Sequence, residues 1–209
     1  MNISKQTSSN KIKAHFKKVD PKIYAILKDI NFDDLHKRPR GRGDYFVHLY
    51  SEIIAQQLSG KAAGTIIGRF EELFPKKKAT AERVAKLPDK KLRNVGMSWS
   101  KVSFIKDLSK KTLNGDIRYN KLHKMTDEEV MEELMQVKGI GPWTAEMFLM
   151  FALGREDIFS HADLGLRNGM MRIYGLKSVP DVKKADKITE VWRPYRSYGS
   201  FALWHHVDG

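Results

Sequence analysis

Apolar positions recur at helical spacing along most of the chain. After Pro21, the residues Ile23, Ile26 and Leu27 mark one such face. From Tyr45 to Leu58, the residues Phe46, Leu49, Tyr50, Ile53 and Ile54 fall at i, i+3, i+4, i+7 and i+8, one side of a helix. Ser59-Gly60 interrupts that pattern, with Ser59 placed to cap a second amphipathic helix carrying Ala62, Ala63, Ile66, Ile67 and Phe70. Thr80 can cap a short helix ending before Pro88, and Val102 to Leu113 predicts another that stops at Asn114-Gly115. Thr126 and Glu129 form a capping box ahead of the stripe Val130, Leu134 and Val137. Gly139 stops that helix. Gly141-Pro142 opens the next, since proline is tolerated at a first helical position, and the helix runs through Trp143 to Leu153 before Gly154. Strand signals are weak throughout, so the pattern predicts an all-α protein.

Composition narrows the function. The 209 residues suit one domain or two small lobes around a cleft, with a core large enough to need no staples. Lysine and arginine number 38 against 25 acidic residues, a net charge of +13 and a pI near 9.8. That balance points to a polyanionic partner, nucleic acid first and anionic lipid second. The absence of cysteine excludes disulfides, thiolate-ligated zinc, cysteine-held iron–sulfur clusters and a cysteine nucleophile. The first residues carry lysines but no apolar core of a secretory signal, and no stretch approaches the ~18 apolar residues of a membrane span. We therefore expect no membrane association and, by default, a cytoplasmic location.

The turn Val137-Lys138-Gly139-Ile140-Gly141 between two helices is a helix–hairpin–helix signature. Its glycines allow a tight turn and a close approach by another backbone. Ile140 is the expected apolar plug between the helices. The amides at the start of the Trp143 helix would face outward, where the helix dipole favours an anion. A DNA phosphate fits such a site without its sequence being read, and Lys138 adds charge beside it.

From Leu134 to Gly175 the chain resembles the helix–hairpin–helix superfamily of DNA glycosylases, most closely the DNA-3-methyladenine glycosylase II branch. The hairpin, the aromatic Trp143 and an aspartate about 20 residues on, Asp163 in HADLGL, carry the likeness. Ile53 to Phe70 resembles that family's DNA-wedge region and Trp192 to His206 its C-terminal pocket helix. The resemblance implies two helical lobes with the active site in the cleft between them. Lobe A would comprise about residues 1–49 with 156–209, and lobe B about 50–155, the hairpin lying at 137–141, all within one glycosylase unit spanning 1–209.

Roles follow residue by residue. Asp163, at the mouth of a helix, is the expected catalytic carboxylate; the same position suits a structural N-cap, and both roles are compatible. Trp143, Trp204 and Met147 are expected to line the base pocket. Trp143 stands where lyase-competent relatives carry a nucleophilic lysine, and an indole cannot form a Schiff base. Lys138 lies five residues too early to replace it. Gln57, with Leu58 second, is the expected wedge that fills the gap left by a flipped base. Lys138, Gly139, Ile140, Gly141 and Thr144 are assigned to the DNA backbone. No cofactor is implied. Neither His161 with Asp163 nor His205-His206 has the pattern of a zinc site; a weakly held alkali ion on the carbonyls of Met135, Val137 and Gly139 is the one metal the resemblance leaves open. Lys76–Lys78 and Lys183-Lys184 read as solvated faces, and Arg38–Arg42 either as a phosphate contact or as a basic loop.

The expected activity is a monofunctional glycosylase on alkylated purines of the 3-methyladenine type in duplex DNA, acting as a monomer that opens base excision repair. It would work in the nucleoid of a prokaryote or the nucleus of a eukaryote. The alternatives are a bifunctional glycosylase and lyase on oxidised bases, against which Trp143 speaks, and a non-catalytic DNA-binding hairpin module, which would not need Asp163 with two pocket tryptophans.

Overall fold

The computed structural model describes residues 8–32 and 44–208, so Arg38–Arg42 lies outside the described residues. Among them it is helical, with short 3-10 turns and no strand, as the periodicity predicted. The chain divides into two compact units: Met1–Arg38 with Gly154–Gly209, and Pro39–Leu153.

The continuous unit holds α3 (Tyr45–Ala55), α4 (Gly60–Glu72), α5 (Ala81–Lys86), α6 (Asp89–Asn94), α7 (Trp99–Asn114), α8 (Asp127–Met135) and α9 (Pro142–Phe151). The expected division after residue 49 would have cut α3 in two. The helix belongs wholly to this unit because Asp44 caps it, accepting the Val47 N–H at 3.2 Å, and because its face of Phe46, Leu49, Tyr50, Ile53 and Ile54 is buried. That face packs on α4, α7 and α9 of the same unit. The helix ends at Ala55, three residues short of the expected Leu58.

Ser59 and Thr80 cap α4 and α5 as expected, and the Thr126–Glu129 capping box closes in both directions. Val130, Leu134 and Val137 on one side and Phe148 and Leu149 on the other are buried, and α8 packs on α9 to make a helical hairpin. Burying side chains of this size contributes about 1.5–3 kcal/mol each, which is what holds so short a turn closed.

The second unit is discontinuous. Its helices are α1 (Ser9–Val19) and α2 (Pro21–Leu27), then α10 (Leu164–Tyr174), α11 (Val182–Thr189) and α12 (Arg196–Asp208). The charged N-terminal stretch, read from sequence only as lysine-rich, forms α1 and buries Ile12 and Phe16 completely. Asp20 ties the two segments together. Its carboxylate caps α2 through the Ile23 N–H at 3.2 Å, accepts the Trp192 indole N–H at 2.8 Å, and accepts the Tyr174 hydroxyl. Burial, reinforced by the bond to Asp20, raises the Tyr174 phenol far above its ordinary range and keeps it a donor. A buried carboxylate is tolerated here because donors surround it.

Among the described residues no helix is long and apolar enough to cross a membrane, and no group of three or more histidine and acidic side chains is placed to hold a metal.

Candidate functional site

The hairpin is built as a sharp turn around Gly139. This residue has φ +82°, and a Cβ there would stand 2.1 Å from the Phe104 ring, so both conformation and space demand glycine. The Lys138 N–H donates to Asp107 Oδ2 at 2.9 Å, which fixes the turn from α7 and leaves the lysine side chain exposed. Ile140 is 4% exposed and plugs the hairpin as expected. Gly141 behaves otherwise. Its φ of −100° is open to any residue, and a Cβ would meet nothing within 4 Å. The turn itself therefore requires glycine at 139 but not at 141. What glycine provides at 141 is open space beside the first turn of α9.

That first turn has no side-chain cap. Pro142 brings no N–H, and the helical ladder begins with Ala145 N–H to Gly141 C=O at 3.0 Å. The amides of Gly141, Trp143 and Thr144 thus precede the ladder, at the positive end of the helix dipole. The Thr144 side chain, assigned from sequence to the DNA backbone, is buried and its hydroxyl lies 3.4 Å from the Gln56 amide nitrogen; its backbone N–H is what it can turn to an anion. Trp143 is 38% exposed on α9, whereas Met147, one turn on, is buried at 4%.

The segment after α3 is a tight turn. Gln57 has φ +59° and is exposed, and Leu58 is 38% exposed. Gln56 and Lys101, which sequence reasoning passed over, brace it. The Gln56 amide donates to the Gly139 carbonyl at 2.8 Å. The Lys101 ammonium donates to the carbonyls of Ile54 at 2.9 Å and Gln56 at 2.7 Å, and burial lowers its pKa. These contacts bear on the alkali-ion expectation. The Gly139 carbonyl takes the Gln56 amide and the Val137 carbonyl takes the Ile140 N–H at 3.1 Å. Each of these carbonyls thus already accepts one hydrogen bond and keeps a second lone pair.

Asp163 lies in the other unit, at the N-cap of α10. Its Oδ1 accepts the Leu166 N–H at 2.8 Å and lies 3.3 Å from the Trp204 indole nitrogen, which donates to it. Two glycines allow this. A Cβ at Gly169 would come within 3.1 Å of the Leu203 carbonyl, so its absence lets α10 and α12 approach. A Cβ at Gly165 would stand 3.0 Å from Asp163 Oδ1 and 3.6 Å from the Trp204 ring. The N-terminus of α12 is fixed to the strand of chain leading to Asp163. Arg196 holds Asp157 through Nε at 2.8 Å, Ser197 accepts the Ile158 N–H at 3.0 Å and donates to the Arg155 carbonyl at 2.7 Å, and the Tyr198 hydroxyl donates to Glu156 at 3.0 Å. Trp204 was expected only as a pocket wall; here it is also a partner of the carboxylate. His161 pairs with Asp186 at 2.9 Å. Lys76–Lys78, Lys183, Lys184, His205 and His206 are exposed.

Two packed helices joined by a short turn with glycine at its tip form a helix–hairpin–helix arrangement. The chain belongs to the HhH-GPD superfamily of base excision DNA repair proteins, whose family model matches residues 50–194. A solved 3-methyladenine DNA glycosylase of Schizosaccharomyces pombe, in complex with abasic DNA, is 29% identical, superposes with a TM-score of 0.81, and is covered over 95% of its length by 93% of this chain. A DNA-3-methyladenine glycosidase structure from Bacillus halodurans is 31% identical at a TM-score of 0.81, over 96% of this chain and 90% of that one. A relative from Bacillus subtilis is 34% identical over 173 residues; this covers 79% of this chain and 60% of that protein, so the chain spans less than two thirds of that relative's length.

Proposed function

We propose that this protein is a monofunctional DNA glycosylase that hydrolyses the N-glycosidic bond of alkylated purines, of the 3-methyladenine type, in duplex DNA, and so initiates base excision repair. The observation that carries the reading is Asp163: a carboxylate held at a helix mouth by a backbone amide and an indole N–H, in a chain of this family.

In this reading the amides of α9 and Lys138 grip a phosphate, and Gln57 enters the stack as the base leaves it. Flipping costs a few kcal/mol, least for a damaged base. Trp143 and Trp204 receive the base, with Met147 behind Trp143. A purine alkylated at N3 or N7 is cationic, and a cation over an indole gains about 0.5–2 kcal/mol when desolvated. As the bond from C1′ to the base breaks, its electron pair goes to the base, which departs neutral, and the sugar gains oxocarbenium character. Asp163 stabilises that charge; water adds to C1′ and gives up a proton to the carboxylate or to solvent. The product is an abasic site with an unbroken strand, since Trp143 supplies no amine for Schiff-base chemistry. The reading takes the protein as a monomer that meets DNA in the nucleoid or the nucleus, according to its host.

The test is incubation with methylated duplex DNA, followed or not by hot alkali. Strand breaks that need alkali, with free methylpurine in the supernatant, are the expected result. Breaks without alkali would make it a lyase, and no release would leave a binding module.

A further inference from the structure

The hairpin and the wedge turn belong to one unit and are joined by the side chain of Gln56. Gln56 is the first residue after α3. Its amide donates to the Gly139 carbonyl at 2.8 Å and lies 3.4 Å from the Thr144 hydroxyl. A carbonyl can only accept, so the NH2 end of the amide must face it. Thr144 connects that contact to the anion site, because its backbone N–H is among the first-turn amides of α9. From the opposite side the Lys101 ammonium holds the Ile54 and Gln56 carbonyls, closing the C-terminal end of α3 with the positive charge that a helix end favours. The next residue is the exposed Gln57, at φ +59°, a conformation that side-chain-bearing residues rarely adopt and that persists only where the surroundings dictate it. Gln56 and Lys101 are those surroundings.

We propose that Gln56 is a positioning residue that ties insertion of Gln57 into the base stack to the seating of a phosphate on the hairpin. The proposal rests on the wedge role given to Gln57 above. A phosphate that settles on the amides of Gly141, Trp143 and Thr144 orders the start of α9. Through Gly139 and Thr144, that order reaches Gln56 and holds the tip of the turn in the one conformation that can enter the duplex. Lys101 acts in the same direction by preventing the end of α3 from unwinding. Gln56 touches neither base nor sugar in this scheme; it acts through its neighbour.

The prediction is selective. Gln56→Ala should slow single-turnover excision of an alkylated purine that the wild-type protein releases, such as 7-methylguanine, when that base is paired with cytosine. The loss should be about 10-fold, the scale of one well-placed hydrogen bond. Opposite a tetrahydrofuran abasic analogue, where the base is already unpaired, the loss should shrink to within about 3-fold, since little extrusion remains to be driven. A merely structural role would slow both substrates alike. Lys101→Met, which removes the second brace and leaves the hairpin contact intact, should show the same preference.

The second arm is a double-mutant cycle. If Gln56 works through Gln57, the variant carrying both Gln56→Ala and Gln57→Ala should be no slower on the paired substrate than Gln57→Ala alone. Additive losses, or equal losses on paired and unpaired substrates, overturn the coupling while leaving the wedge in place. If Gln57→Ala excises the paired base at the wild-type rate, the wedge assignment itself falls and takes the coupling with it.

Discussion

The helices α9 and α10 start in the same physical situation and treat it in opposite ways. Each presents N–H groups at the positive end of its dipole. At α9 the N-cap is Gly141, which brings no side-chain cap, and a Cβ there would meet nothing within 4 Å. At α10 the end is filled from within, because Asp163 caps it. The first arrangement suits an anion that arrives from outside, and the second already holds one of its own. The cost of the open site is stability, since a side-chain cap typically contributes about 1 kcal/mol that α9 forgoes. The cost of the filled one is crowding, which Gly165 and Gly169 relieve.

The largest expected effect separates the charge of that carboxylate from the cap it also provides. Asparagine caps a helix about as well as aspartate, but brings no charge to an oxocarbenium. Asp163→Asn should therefore melt near the wild type and still bind DNA, while single-turnover excision of a neutral base falls by at least about 10²-fold. Near-normal excision with an unchanged melting temperature would reduce Asp163 to a cap and make the two helix ends functionally unlike.

Next comes the pair of hairpin glycines, which a reading of the motif alone treats as equals. Gly139→Val must bear a left-handed backbone, about 1–2 kcal/mol, and a clash with Phe104, so calorimetry should show a destabilised protein. Gly141→Val should melt like the wild type yet bind all duplexes more weakly, whatever their sequence, since the added side chain covers only the anion site. Wild-type binding to undamaged duplex should itself weaken steeply between about 50 and 200 mM salt. Sequence-selective loss in Gly141→Val would mean that this helix end reads bases.

The two smallest effects concern the tryptophans. Trp143→Ala should lower excision of cationic bases more than that of neutral ones such as hypoxanthine, by about 0.5–2 kcal/mol in transition-state stabilisation. Equal losses would leave Trp143 a packing residue. Trp204→Phe keeps a ring but removes the N–H that reaches Asp163, and should cost about 0.5–1.5 kcal/mol in excision rate, stability or both. No change in either would make that contact incidental.

What could be read in advance follows from the range of the forces involved. The caps at Ser59, Thr80 and Thr126 act over three residues, and the helices they begin were legible from spacing. Asp163 at the N-cap of a helix was legible for the same reason. Helix α1 was not, because its two buried residues, Ile12 and Phe16, stand among lysines, and its core is completed by α2 and by distant segments such as Trp192. The neighbours Gln56 and Gln57 show the limit most sharply. Sequence marks a turn, but which amide faces inward depends on a carbonyl 83 residues away. Asp107, 31 residues from the amide it receives, and Lys101, 45 residues from the Gln56 carbonyl it holds, were hidden in the same manner. Resemblance assigns segments to lobes only coarsely, at about residue 49, whereas the cap at Asp44 starts α3 a few residues earlier.

The division of the chain also sets a timetable. Residues 39–153 form one uninterrupted unit, while the other is assembled from segments on either side of it. On a ribosome adding about 5–20 residues per second, all of the hairpin and wedge residues are made before Asp163 appears, and Trp204 follows 41 residues later still. The continuous unit can thus be complete while α1 and α2 wait for Trp192 and α12. Nascent chains stalled after residue 153 should show the continuous unit resistant to protease and the earlier segment still cut. In the proposed reading, the segment that meets the phosphate is made first, and the carboxylate that serves base removal is made later.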